Sequence, residues 1–130
     1  MLTARKYERL INVARDSLDI PRGKPHSLHF SFIIRRNSVL SVGYNNILKT
    51  YPAAAKAGYF DGVVHSEFDA IRRFPLPPEY LRDCFMVNVR SNRHGDIRNS
   101  QPCKICSKFI AAFQFKSVFY SISDDSFGEW

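Results

Sequence analysis

Four side chains in this sequence have the types and spacing to hold a metal ion and to work on a substrate beside it. His65 and Glu67 stand two residues apart, and Cys103 and Cys106 stand three apart directly behind Pro102. A catalytic zinc takes three protein ligands and keeps a fourth position for water. Cys-x-x-Cys at the start of a helix places both sulfurs on one face, a turn apart. His65, at the start of another helix, can supply the third donor. The positive ends of both helices would then favour the thiolates. Glu67 need not ligate. Beside the water it can accept a proton and return it to a ring nitrogen and a leaving amine. The chemistry open to such a set is hydrolytic attack on an amidine-like carbon, with ammonia released. Two other readings use the same residues. Cys-x-x-Cys alone also serves as half of a structural zinc site or as a redox pair. A purely structural site would need a fourth ligand, from His26, His29, His94 or Cys84. Cys84 lies in the apolar run Cys84-Phe85-Met86-Val87 and reads rather as a small buried hydrophobe.

The elements that must position these groups follow from periodicity. Tyr7, Leu10, Ile11, Ala14 and Leu18 recur at helical spacing between Thr3 and Leu18. Pro21, Gly23 and Pro25 then break the chain. Ser27 to Ile34 and Val39 to Tyr44 are predicted as a hairpin about a tight turn at Arg36-Asn37. Asn45 to Gly62 reads as a loop with a helical turn near Ala53 to Ala57. Val64 to Phe74 is predicted helical and is ended by Pro75, Pro77 and Pro78. Cys84 to Val89 reads as a buried strand and Arg90 to Gln101 as a basic loop. Pro102 suits the first turn of a helix running to about Phe115. Ser117 to Ile122 is predicted as a last strand before an acidic tail. Strand-helix-strand-helix-strand order implies a partly parallel sheet with helices packed on it.

A chain of 130 residues, 45% of them hydrophobic, suits one domain over residues 1–130 with a real core. It lacks the composition of a disordered segment. No apolar run reaches the length of a membrane span, and no h-region follows the basic N-terminus. Three cysteines at these spacings do not form a disulfide framework. The expected compartment is therefore the reducing cytoplasm, with no membrane partner. The net charge of +7 and the pI of about 9.6 favour anionic partners, or serve solubility.

The order His65-Ser66-Glu67, then Pro102-Cys103-Lys104-Ile105-Cys106, resembles the H-x-E and P-C-x-x-C signature of zinc nucleobase deaminases. The resemblance, to the cytidine/deoxycytidylate deaminase superfamily, covers roughly Ser27 to Ser123. It implies an α/β three-layer fold, a mixed sheet with helices on both faces. It implies Zn2+ held by His65, Cys103 and Cys106, and Glu67 as the catalytic proton shuttle. Asn45, closing Gly43-Tyr44-Asn45, matches an asparagine that commonly binds the sugar or base in this superfamily. Ser66 and Pro102 fall beside the substrate, and Tyr120 in Phe119-Tyr120-Ser121 falls at a strand end near the pocket. Arg93 lies in a basic loop with Arg90, His94 and Arg98, able to meet a substrate phosphate or simply solvated.

The zinc histidine sets the chain apart from the three-cysteine cytidine deaminases and points to the deoxycytidylate, tRNA-adenosine and polynucleotide branches. Ser66 replaces their usual alanine. Gln101 stands where the tRNA-adenosine branch usually has Glu. The short C-terminus lacks a usual further helix and strand, which gives a minimal core and is compatible with a homo-oligomer. The implied substrate is a cytosine nucleotide or nucleoside. A single-stranded nucleic acid bearing cytosine or adenine is the alternative, and a catalytically silent nucleic-acid-binding module on the same fold is a third reading. Arg35-Arg36 and Arg72-Arg73 read as solvated positions, with polynucleotide contact the alternative. Phe30, Phe32, Phe68, Phe85, Phe109 and Phe113 read as core. Tyr51, Tyr59 and Phe60, before the histidine motif, are candidates either for stacking on a base or for packing.

Overall fold

The computed structural model describes residues 3–17, 27–50, 52–59 and 63–130. Pro21, Gly23, Pro25, Leu18, His26, Tyr51 and Phe60, all used in the sequence reading, lie outside the described residues. Helix α1 spans Ala4–Asp16. The Thr3 side chain accepts from the Lys6 N–H at its N-cap. Tyr7, Leu10, Ile11 and Ala14 form its buried stripe, as their helical spacing predicts.

Strands β1 (Leu28–Arg35) and β2 (Ser38–Tyr44) form the predicted hairpin. The left-handed backbone of its turn falls on Arg36, at φ 55°. The described residues of the expected loop 45–62 include regular elements. Strand β3 (Asn46–Thr50) pairs with β4 (Val63–Val64) in a small second sheet around the short helix α2 (Pro52–Lys56). Helix α3 spans Ser66–Arg72, starting later than expected because Val64 is taken into β4. A 3-10 helix at Pro78–Asp83 leads into β5 (Cys84–Ser91). Its end folds back as β6 (Ile97–Arg98) within the predicted basic loop. Helix α4 spans Lys104–Ala111. Pro102 stands just outside it, because the Cys103 side chain takes the capping position. Strand β7 (Ser117–Ser123) is not the last: the acidic tail turns at Asp124-Asp125 and returns as β8 (Ser126–Glu129).

The five long strands form a mixed sheet in the order β2-β1-β5-β7-β8, with only β5 and β7 parallel. Alternation along the strands separates two apolar layers. Leu28, Phe30, Phe32, Ile34, Val87, Val89 and Phe119 pack with α1 on one face. Ile33, Cys84, Met86 and Val118 pack on the other with Phe68 of α3 and Ile110 of α4. This is the three-layer arrangement implied by the motifs. No helix of the described residues is long and apolar enough to cross a membrane.

One row across the sheet departs from the apolar rule. Register places Gly43, Ser31, Asn88, Tyr120 and Gly128 side by side on β2, β1, β5, β7 and β8. Gly43 lets α3 lie directly on the sheet. A Cβ there would come within 2.2 Å of Ala70 N and Ser66 O, backbone atoms that cannot yield locally.

Candidate active site and metal centre

Both candidate ligand motifs begin at helix N-caps with extended backbone. His65 caps α3 at φ -89°, ψ 152°, and Cys103 caps α4 at φ -66°, ψ 169°. The His65 side chain makes no capping bond, so its ring is turned toward the cysteines instead. Cys103 Sγ accepts from the Cys106 N–H at 3.4 Å. The N-cap geometry thus ties the two cysteines of Cys-x-x-Cys together before any ion arrives.

His65 Nδ1 lies 4.0 Å from Cys103 Sγ and 3.7 Å from Cys106 Sγ. The three donor atoms all fall within 4.8 Å of one another. A tetrahedral zinc with bonds of ~2.0–2.3 Å spaces its donors by about 3.6 Å, so this set fits zinc with little movement. No other His, Cys, Asp or Glu among the described residues joins the group. Cys84, weighed as a fourth ligand, is buried elsewhere and donates to the Tyr80 carbonyl. Cys103 is exposed and Cys106 is buried, so the centre opens on the Cys103 side. Burial pushes the Cys106 thiol above its ordinary range, and the Glu67 carboxylate adds to the rise. A cation at the centre supplies the opposing charge that favours the thiolate.

Glu67, one residue into α3, is 7% exposed and stands outside the ligand group. Ser66 Oγ donates to its Oε1 at 3.0 Å, and Asn88 Nδ2 donates to its Oε2 at 3.4 Å. Ser31 Oγ sits below, 2.8 Å from Ser66 Oγ and 2.7 Å from Asn88 Oδ1. The carboxylate is therefore oriented by the polar row of the sheet. Spacing along the chain did not single out Ser31 or Asn88, because register alone brings them under the motif.

A cleft of about 310 Å³ opens over this centre, at the low end of the ~300–1,000 Å³ range of small-molecule sites. Its wall contains His65, Glu67 and Cys103, together with Asn45 and Ser66 as the sequence expects. His29 and Gln101 also line it; only His29 had been weighed, and as a ligand. Asn45 Oδ1 accepts from the His29 N–H at 2.9 Å and its Nδ2 donates to the Ser27 carbonyl at 2.8 Å. That amide therefore fixes the start of β1 at the rim of the cleft. Pro102, Arg93 and Tyr120 are not among the lining residues. Pro102 is buried behind Cys103. Arg93 lies in the turn between β5 and β6, and Tyr120 leans over Gly128. Of the basic loop, Arg90 is engaged inward: its guanidinium donates to Ser27 Oγ and to the Asn99 carbonyl.

One alternative left open by the sequence closes here, and one expectation changes. Tyr59 is 1% exposed and offers no face to a base. Its packing is described below. Arg72 and Arg73 are not simply solvated. Both pair with Asp69, at 2.6 and 3.0 Å, a carboxylate only 3% exposed. Asp69 also accepts from the Tyr44 N–H at 3.1 Å. It thereby braces α3 against the strand that ends at Asn45. An acidic residue two places after Glu67, followed by two arginines one turn along the helix, was the available signal.

No curated protein matches the chain significantly. The model of a family described as the cytidine and deoxycytidylate deaminase zinc-binding region matches residues 5–122.

Proposed function

Since the chain belongs to the family of the cytidine and deoxycytidylate deaminase zinc-binding region, we propose that it hydrolyses the exocyclic amine of a cytosine-containing nucleotide or nucleoside, giving the uracil form and ammonia. The observation that carries this reading is the buried Glu67 carboxylate sharing one cleft with His65 and Cys103, two donors that group with the buried Cys106. Zinc, held by those three residues, would supply the Lewis acidity that makes water a nucleophile near neutral pH. The chain's own residues do the rest. Glu67 takes a proton from the attacking water and gives it to the ring nitrogen, then moves the remaining proton of the added hydroxyl to the departing amine. Ser66 and Asn88 hold its two oxygens toward the cleft. Asn45 and Ser66 contact the substrate at the cleft wall. Atoms balance as one water consumed and one ammonia released. In this reading residues 1–130 work as a single deaminase domain.

Glu67→Ala tests the assignment. It should abolish ammonia release from dCMP and cytidine while one zinc per chain remains bound. Ammonia release at the wild-type rate would overturn the role of Glu67. A second reading, deamination of single-stranded nucleic acid, draws on the net charge of +7. Comparing dCMP with a cytosine-containing oligonucleotide separates the two, and oligonucleotide binding should then fall steeply with salt.

A further inference from the structure

We propose that Tyr59 is a positioning residue of the metal centre, holding the His65 ring in place and donating a hydrogen bond to Cys106 Sγ. The inference rests on the reading that His65, Cys103 and Cys106 hold zinc. Four contacts carry it. The Tyr59 hydroxyl lies 2.8 Å from Cys106 Sγ. Its ring centroid lies 4.5 Å from that of His65, with the planes tilted by 44°. Its ring also meets Phe68 of α3 at 5.7 Å and Phe109 of α4 at 6.1 Å, both edge to face. One side chain therefore touches two of the three ligands and wedges between the two helices that carry them.

The backbone explains how it gets there. Helix α2 ends with the Tyr59 N–H bonded to the Ala54 carbonyl and the Gly58 N–H to the Ala55 carbonyl. This is a Schellman cap with Gly58 in the left-handed region, at φ 106°. The cap reverses the chain and drives Tyr59 inward beside Ala54, and both are buried.

The direction of the hydrogen bond follows from the ligand's chemistry. A thiolate bound to a metal carries no proton, so the phenol must donate. Such a bond fixes the sulfur's lone-pair direction and draws charge from the metal–sulfur bond. Partners of this kind tune affinity, and their loss typically weakens metal binding about 10- to 100-fold. Ring contact with His65 restricts the imidazole plane so that Nδ1 keeps facing the sulfurs.

Tyr59→Phe keeps the ring and removes the donor. Zinc and cobalt affinities of the full-length wild type, Tyr59→Phe and Tyr7→Phe should be measured by competition with a chromogenic chelator. The absorption of the cobalt forms and the melting of the metal-free forms complete the set. Tyr7 is the control: it is buried on the opposite face, with its hydroxyl on the Ser123 and Ser126 carbonyls. Tyr59→Phe should bind one ion per chain about 10- to 100-fold more weakly, with a shifted sulfur-to-cobalt charge-transfer band and a metal-free melting temperature near wild type. Tyr7→Phe should keep the wild-type affinity and band. Affinity within twofold of wild type and an unchanged band for Tyr59→Phe would overturn the inference, as would an equal loss in Tyr7→Phe. A wild type that binds no ion would instead overturn the zinc reading itself, and the inference with it.

Discussion

Two clefts of nearly equal size lie on opposite sides of the sheet. One, about 310 Å³, opens over His65, Glu67 and Cys103. The other, about 320 Å³, lies between α1 and the β7–β8 turn, with Tyr7, Glu8, Arg15 and Asp124 in its wall. Volume does not distinguish them. What differs is where the polar groups are directed. In the second cleft, Arg15 and Asp124 meet at 2.6 Å while both remain largely exposed, a surface pair worth little on its own. Arg15 Nε also donates to the Gly95 carbonyl. At the first cleft, the His65 imidazole and the Cys103 and Cys106 thiols converge, and the buried Glu67 carboxylate stands beside that group without being part of it.

Each side also buries a tyrosine. Burial pushes the Tyr7 hydroxyl up to about 12, and the Tyr59 hydroxyl, first by burial and then by Cys106, above its ordinary range. Both are therefore neutral donors near pH 7. Tyr7 gives its proton to backbone carbonyls and ties α1 to the β7–β8 turn. Tyr59 meets Cys106, a candidate metal ligand. The same residue under the same burial serves the fold on one face and the site on the other, and its partner decides which.

This contrast can be broken by substitutions that strike one face at a time. The largest effect is expected from Gly43→Ala, because the new methyl meets α3 backbone rather than flexible side chains. Destabilisation of about 3 kcal/mol or more, at the upper end of overpacking costs, should appear in denaturant melts. The ammonia-release rate should fall further than the fraction folded accounts for, since α3 carries Glu67. Rates that simply track the folded fraction would show that α3 can shift without disturbing the site. Asp69→Asn comes next. It removes the Asp69 charge that Arg72 and Arg73 share and weakens the brace to Tyr44. Both arginines can rehydrate, since their side chains are 35% and 48% exposed, so the cost should be about 2 kcal/mol rather than the 3–5 of a fully buried pair. A measured loss under 0.5 kcal/mol would remove Asp69 from the account of how α3 is held. Tyr7→Phe should be the smallest, about 1 kcal/mol for a lost neutral hydrogen bond. Its effect should appear in melting alone, with kcat and KM of the folded protein unchanged.

The ligand set was legible because each motif is local. His65 and Glu67 share the first turn at α3, and Cys103 and Cys106 share the first turn at α4. Residues two or three apart at a helix start have few places to go. The α1 stripe and the β1–β2 hairpin were legible for the same reason, through period and turn. The boundary at Val64 moved because a longer-range partner intervened: Val64 pairs with Asn46, which no local window identifies. The acidic tail pairs with β7 across a tight turn at Asp124-Asp125, a local hairpin hidden by its polar, acidic composition.

By itself, then, the sequence determined the candidate donor atoms, the carboxylate beside them and the helices that begin with them, since these depend on side-chain chemistry and on torsions within one turn. Only the tertiary structure decided what surrounds them. Strand register put Ser31 and Asn88 under Glu67. Close packing made Gly43 the point where α3 rests on the sheet. A helix cap tens of residues upstream of Cys106 decided between base stacking and packing for Tyr59, making it a buried neighbour of the candidate ligands. These relations join residues far apart in the chain. Their free energy comes from burial and from hydrogen bonds that exist only once the sheet is assembled.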